Sequence, residues 1–220
     1  MSGLLTAFAR GGGSPPATYE TLRVYEDGAV RAVVGNAWPL GSPQDEAGSY
    51  EQRLAPDELA ALARLAGAVA APPPPAPGSA DAGRCELKLP GGREAAWPMH
   101  ASPPGELGPL VDRLRELLLA TRRHPLGALA LVVERHELRL RNPGTESVGL
   151  VPDRLRVTAD VDGAPRPIAI DPASLPAELA PGGETPLADA PPAEAGVLVR
   201  LDALVPYEGA PLRLECVLRT

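Results

Sequence analysis

Alternation of apolar and polar residues runs through most of this 220-residue chain, and helical spacing interrupts it twice. Residues 4–9 read as a first strand, ended by Gly11, Gly12 and Gly13. Leu22 and Val24 then alternate with polar residues up to Asp27-Gly28, and Val30, Ala32 and Val34 alternate after it. Asp-Gly between two such runs predicts a hairpin closed by a type I′ turn, because glycine tolerates the positive φ which that turn demands. Residues 35–53 read as a polar loop or an irregular fourth strand. A helix is expected from Pro56, where proline's fixed φ and missing N–H suit the first turn. Asp57 and Glu58 there favour the positive end of the helix dipole. Leu59, Leu62, Leu65, Ala66 and Val69 recur at helical spacing, until Gly67 and the prolines of 72–75 end the pattern. A second hairpin is expected over 84–89 and 93–97 around Pro90-Gly91-Gly92. A second helix is expected over 109–121, with Leu110, Val111, Leu114, Leu117 and Leu118 inward. Arg122, Arg123 and His124 suit its negative end, and Pro125 stops it.

After Pro125 helical spacing disappears. Strands are expected over 129–133 and 138–140, with a turn at Asn142-Pro143-Gly144. Leu155, Val157, Ala159 and Val161 alternate up to Asp162-Gly163, and Ile168 and Ile170 continue beyond it. Residues 197–201 and 212–218 alternate near the end of the chain. The fold class that follows is an α+β domain over 1–124, an antiparallel sheet with two helices on one face. An all-β, immunoglobulin-like sandwich follows it over 125–220.

Composition changes this picture little. Gly and Pro together make 51 of 220 residues, but they cluster in loops between alternating segments, and 44% of residues are apolar, so the chain reads as folded. Charge is more restrictive. The net charge is −7 and no run of Lys or Arg forms a track in the sequence, which argues against nucleic acid as a partner. Lys88 is the single lysine. Cys85 and Cys216 each fall on the apolar side of an alternating run and read as small buried hydrophobes; a disulfide between them would need an oxidising compartment. The first ten residues lack the basic and long apolar regions of a secretory signal, and no apolar run is long enough to span a membrane. A cytoplasmic protein with no membrane partner is expected.

Chemistry-bearing residues are few. His100, His124 and His136 have no second ligand at metal-binding spacing, so no metal and no cofactor is expected. Glu134-Arg135-His136-Glu137 falls between two strands, where charged turn residues belong. Gly11-Gly12-Gly13-Ser14 has a phosphate loop's composition without the lysine or the helix that should follow. Neighbouring carboxylates at Asp45/Glu46 and Asp57/Glu58 do not face one another as an acid–base pair would. With no nucleophile elbow either, the chain reads as a non-enzyme, with no catalytic residue assigned. A hydrolase using His100 or His136 with distant carboxylates is the alternative. Aromatic residues are the remaining signal, because they anchor interfaces as well as cores. Trp38 with Leu40 beside it, and Tyr50 in the same stretch, are the candidate partner-binding residues; Trp97 reads as core.

Phe8-Ala9-Arg10-Gly11-Gly12, the Asp27-Gly28 hairpin and the helical patterns around Leu54 to Leu65 and Leu110 to Leu118 resemble the emfourin family. Emfourins are small bacterial inhibitors of thermolysin-like metallopeptidases, and the resemblance spans about residues 4–123. It implies a protein partner, a peptidase, for the first half. Asn142-Pro143-Gly144 after an alternating strand, with Pro181-Gly182-Gly183 later, resembles bacterial immunoglobulin-like domains, which serve as spacers and recognition surfaces. The expectation is a non-catalytic protein–protein interaction module. A structural or adaptor component of a larger assembly is the other non-enzymatic reading.

Overall fold

A computed structural model describes residues 3–12, 18–35, 46–69, 83–134, 136–161, 164–190 and 196–220. More than half of them lie in strands, with two α-helices and two sheets. The expected Gly13-Ser14 loop end, the prolines of 72–75 and the Asp162-Gly163 turn lie outside the described residues. The chain divides into two compact units, Met1–Val33 with Tyr50–His124, and Val34–Ser49 with Pro125–Thr220. Of the described residues read above as part of the first domain, Val34, Gly35 and 46–49 fall with the second unit.

The first unit contains β1 (Leu4–Gly12), β2 (Thr18–Tyr25), β3 (Ala29–Val34), the Tyr50–Arg53 half of β4 (Glu46–Arg53), β5 (Arg84–Leu89) and β6 (Arg93–Pro98). They lie in the order β4-β3-β2-β1-β5-β6. Alternation decides which face is buried. Thr6 and Phe8 on β1, Leu22 and Val24 on β2, Cys85, Leu87 and Leu89 on β5, and Ala95 and Trp97 on β6 are all buried. Arg84, Glu86, Lys88 and Glu94, on the alternate positions, face solvent. Helix α1 (Pro56–Ala68) buries Leu62 and Ala66. Helix α2 (Gly108–Thr121) buries Leu110, Val111, Leu114, Leu117 and Leu118, every inward position that helical spacing predicts, and packs against α1. Glu58 accepts a hydrogen bond from the Ala55 N–H at 3.3 Å, half of a capping box, since alanine has no oxygen to reciprocate.

The β2–β3 hairpin is present, but its turn is not the type I′ turn expected at Asp27-Gly28. Gly28 has φ +84° while Asp27 keeps a negative φ, and the Gly28 N–H bonds the Tyr25 carbonyl at 2.9 Å. This is a type I turn over Glu26-Asp27 with glycine at the left-handed bulge position, a three-residue connection. The Asp27 carboxylate stabilises it by accepting from the Ala29 N–H at 3.0 Å. A two-residue turn with both centres left-handed occurs instead at Glu208-Gly209, φ 52° and 82°.

The second unit has two antiparallel layers. One is β12 (Glu184–Asp189), β8 (Glu137–Arg141) and β7 (Pro125–Glu134), in that order, flanked by the Glu46–Ser49 half of β4. The other runs β10 (Ala164–Ile168), β9 (Val148–Val161), β13 (Val197–Tyr207), β14 (Ala210–Arg219), and the two-residue β11 (Glu178–Leu179) also pairs with β9. Strand β7 packs across β9, β13 and β14. Between the layers lie Leu129, Leu138, Leu140, Val157, Val199, Leu201, Leu214, Cys216 and Leu218, all buried. Leu126, near the start of β7, is half-buried. Strand β12 was not expected from the sequence: Thr185 and Leu187 do alternate inward, but the run is short and Pro186 interrupts it.

Asn142 ties this unit together. It is fully buried, its Oδ1 accepts from the Gly144 N–H at 2.9 Å and the Ala128 N–H at 3.4 Å, and its Nδ2 donates to the carbonyls of Glu146, Leu179 and Ala180. A turn residue in the sequence is thus a clamp on three stretches of chain in the fold.

Candidate functional site

The residues singled out for chemistry do not converge. His100, His124 and His136 are each exposed. His136 sits between β7 and β8 with φ 67°, its carbonyl accepting from the Ala190 N–H at 2.7 Å, which is the behaviour of a turn residue. No group of three His, Cys, Asp or Glu suited to a metal ion occurs among the described residues. No described helix is long and apolar enough to cross a membrane. Both cysteines are free and buried. Burial pushes both thiols up; at Cys85 the Arg115 and Arg10 guanidinium groups work against that rise.

Of the aromatic candidates, Trp38 and Leu40 lie outside the described residues. Tyr50 is 1% exposed, so it is a core residue and not a surface anchor. Strand β4 is buried through four consecutive positions, 47–50, so alternation gives Tyr50 no solvent side. Trp97 is buried, with its ring 6.4 Å from that of Phe8. Its row on the inner face of the first sheet is polar. Glu20, Arg10, Cys85 and Trp97 are register neighbours across β2, β1, β5 and β6. Arg10 and Glu20 form an ion pair at 2.5 Å, and the buried Trp97 Nε1 has no hydrogen-bond partner.

Open depressions occur among the described residues, and two of them have no histidine in their lining. One of about 240 Å³ lies on the charged outer side of β5 and β6, among Arg84, Glu86, Lys88 and Glu94. The other, about 460 Å³, lies among Glu137, Ile168, Ser174, Pro186, Leu187 and Asp189. The strand edges bordering this second depression are closed to strand addition in part. Asp160 of β9 donates its N–H to Gly196 at 2.8 Å, away from β10, so its register partner Pro165 turns its backbone outward. Pro167 repeats the pattern two residues on, and the outward edge of β10 lacks N–H donors at both positions.

The surface most unlike the rest of the chain is the outer face of the β9-β13-β14 sheet. Strand alternation sends Val157, Val199 and Leu218 into the core, and so sends Arg156, Arg200 and Val217, one register row, to the other side. Arg219 and Arg213 follow on the same side of β14, and Arg154 joins them from the irregular stretch of β9 opposite Arg200–Asp202. Arg213 forks onto Asp202 Oδ2 at 2.8 and 2.6 Å, Arg154 approaches the same oxygen at 3.8 Å, and Arg200 meets Glu215 at 3.5 Å. Among the described side chains, five arginines thus share a face with Asp160, Asp202 and Glu215, on a chain whose total charge is −7. Leu204 stands exposed among them. No sequence window shows this cluster, because its members come from three strands up to 65 positions apart (219 less 154). Compared with family models, curated proteins and solved structures, the chain matches none.

Proposed function

We propose that this chain is a non-catalytic protein-binding module: an α+β layer with both helices on one face of its sheet, followed by an immunoglobulin-like sandwich that presents a recognition surface. The observation that carries this reading is the solvent-facing side of β9-β13-β14, where arginines and the exposed Leu204 stand together over a rigid sheet. Arginine is the charged residue enriched at protein interfaces, because its planar guanidinium forks onto carboxylates and stacks on apolar surface. The prolines on the outward edge of β10 favour recognition through the face over assembly through that edge.

The test is affinity capture with the full chain from its native lysate, quantified against bait. A reproducible partner at near-stoichiometric yield is the expected result, and none would count against the module. The sharper form, implied by the resemblance of the first half, is inhibition of a thermolysin-like metallopeptidase. Titrating such an enzyme with the chain tests it: loss of activity near equimolar ratio is expected, and full activity at large excess removes it.

A further inference from the structure

We infer that the first unit holds a small monovalent anion, of the size of chloride or bromide, between its sheet and α2, in the space bounded by Arg10, Trp97 and Arg115. Cys85 is what opens that space. On the inner face it stands between Arg10 of β1 and Trp97 of β6, its register neighbours, so a short side chain lies between two long ones. Adjacent strands are about 4.8 Å apart, which sets the flanking backbones about 10 Å apart. An indole and a guanidinium can close over the thiol across that gap. Trp97 leans that way, because its ring lies 6.4 Å from that of Phe8, which is on β1, two positions from Arg10 on the same face. Arg115 reaches the thiol from α2.

The groups that meet here are donors. Trp97 is 3% exposed, and its buried Nε1–H and the buried Nε–H of Arg10 have no acceptor among the described residues. A buried donor left unpaired is costly, and native interiors rarely keep one. A water molecule would accept from both, but its own two O–H groups would then need acceptors. The apolar inner-face neighbours Phe8, Leu87 and Ala95 have none to offer from their side chains, and the Cys85 sulfur is a weak one. An anion accepts from every donor and donates nothing. Charge favours it as well. Arg10 and Arg115 bring two positive charges. Glu20, the carboxylate of this row, is held at 2.5 Å by the Nη2 end of Arg10 on the β2 side, away from Cys85. Asp112 lies 3.6 Å from Arg115, at the exposed surface of α2.

The experiment uses the intact chain with Trp38→Phe, so that Trp97 is its only tryptophan. Its emission is followed as sodium bromide replaces sodium fluoride at constant ionic strength, which holds screening fixed. Saturable quenching by bromide, relieved by chloride, is expected; fluoride, the most strongly hydrated halide, should neither quench nor compete. Arg10→Lys keeps the charge but removes the Nε–H, and should weaken bromide about tenfold, the worth of one ordinary hydrogen bond. Arg166→Gln, an exposed position in the second unit, should leave the curve unchanged. A second reading starts from the wild type: its melting point should rise when chloride replaces fluoride, and Trp97→Phe should lose that rise. Quenching that stays linear in bromide, or a wild-type melting point indifferent to the halide, would show that water meets these donors and would overturn the inference. Saturable quenching that Arg10→Lys leaves unchanged would overturn it too, because the anion would then sit elsewhere.

Discussion

Replacing Asn142 by alanine should be among the most destabilising single changes in this protein. Its amide is fully buried and serves five backbone groups: the N–H groups of Gly144 and Ala128 and the carbonyls of Glu146, Leu179 and Ala180. Not all five count equally. The Ala128 bond is long at 3.4 Å, and Glu146 and Ala180 are only partly shielded. The Gly144 N–H at 2.9 Å and the Leu179 carbonyl at 3.1 Å are the buried groups that truncation strands most completely. A buried polar group left without a partner costs about 1–3 kcal/mol, so two such groups, with the weaker three adding to them, put the loss at about 4 kcal/mol. For a chain of this size each kcal/mol moves the thermal midpoint by about 2–4 °C, which gives a drop of about 8–16 °C. Urea titration at pH 7 followed by circular dichroism measures the loss directly. Asn142→Asp sharpens the test. At pH 7 a carboxylate faces three carbonyls it cannot donate to, so this variant should be the weaker of the two. Its deficit should shrink toward pH 3, where the acid is protonated and can donate. A loss below about 1 kcal/mol for Asn142→Ala would refute the clamp, because no buried orphan would then have been created.

Other expectations can be checked as directly. Glu184 is clamped by Arg141 and Arg139, and these partners hold its carboxyl below the usual range. Its contribution is therefore present above the unfolded carboxylate value of about 4.3 and is lost as pH falls through the lower folded value. Glu184→Gln should flatten the fall in urea midpoint between pH 5 and pH 3, and an unchanged slope would contradict the clamp. Burial raises both thiols, so neither Cys85 nor Cys216 should react with a thiol reagent at pH 8 until urea unfolds the chain. Labelling of native Cys216 at the rate of a free thiol would show otherwise. Gly48 approaches β7 so closely that an added Cβ would overlap the Ala128 Cα and the Gly127 carbonyl oxygen. Gly48→Ala should therefore lose about 3 kcal/mol through backbone displacement, and a wild-type melting point would exclude that contact. Glu208 holds φ 52° ahead of Gly209, and Asn-Gly is the preferred pair for a turn with both centres left-handed. Glu208→Asn should stabilise by about 0.5 kcal/mol, read as a higher melting point.

What the sequence determined by itself is everything governed by neighbours within about a dozen residues. The inward faces of α2, the extent of both helices, the hairpin at Pro90-Gly91-Gly92 and the burial of Cys85 and Cys216 all follow from spacing, because one side chain in two or in 3.6 must meet the core. Turn type was less legible. Asp27-Gly28 and Glu208-Gly209 offer the same glycine, yet only the second has two left-handed centres, since the register of the flanking strands decides how many residues the connection contains. Tertiary structure alone decided the rest. Tyr50 left the surface because β4 is buried on both sides there. Strand β12 formed despite Pro186 because β8 supplies an edge 45 positions away at the Arg139–Glu184 contact. Asn142 became a clamp because Leu179 and Ala180 return to it from 37 and 38 residues downstream. The arginine face exists only once β9, β13 and β14 lie side by side: alternation tells that Arg156 and Arg200 point away from the core, but only strand pairing sets them opposite one another. Local periodicity fixes which way a side chain points, whereas a site is made of residues that point the same way from different strands, and that depends on long-range register.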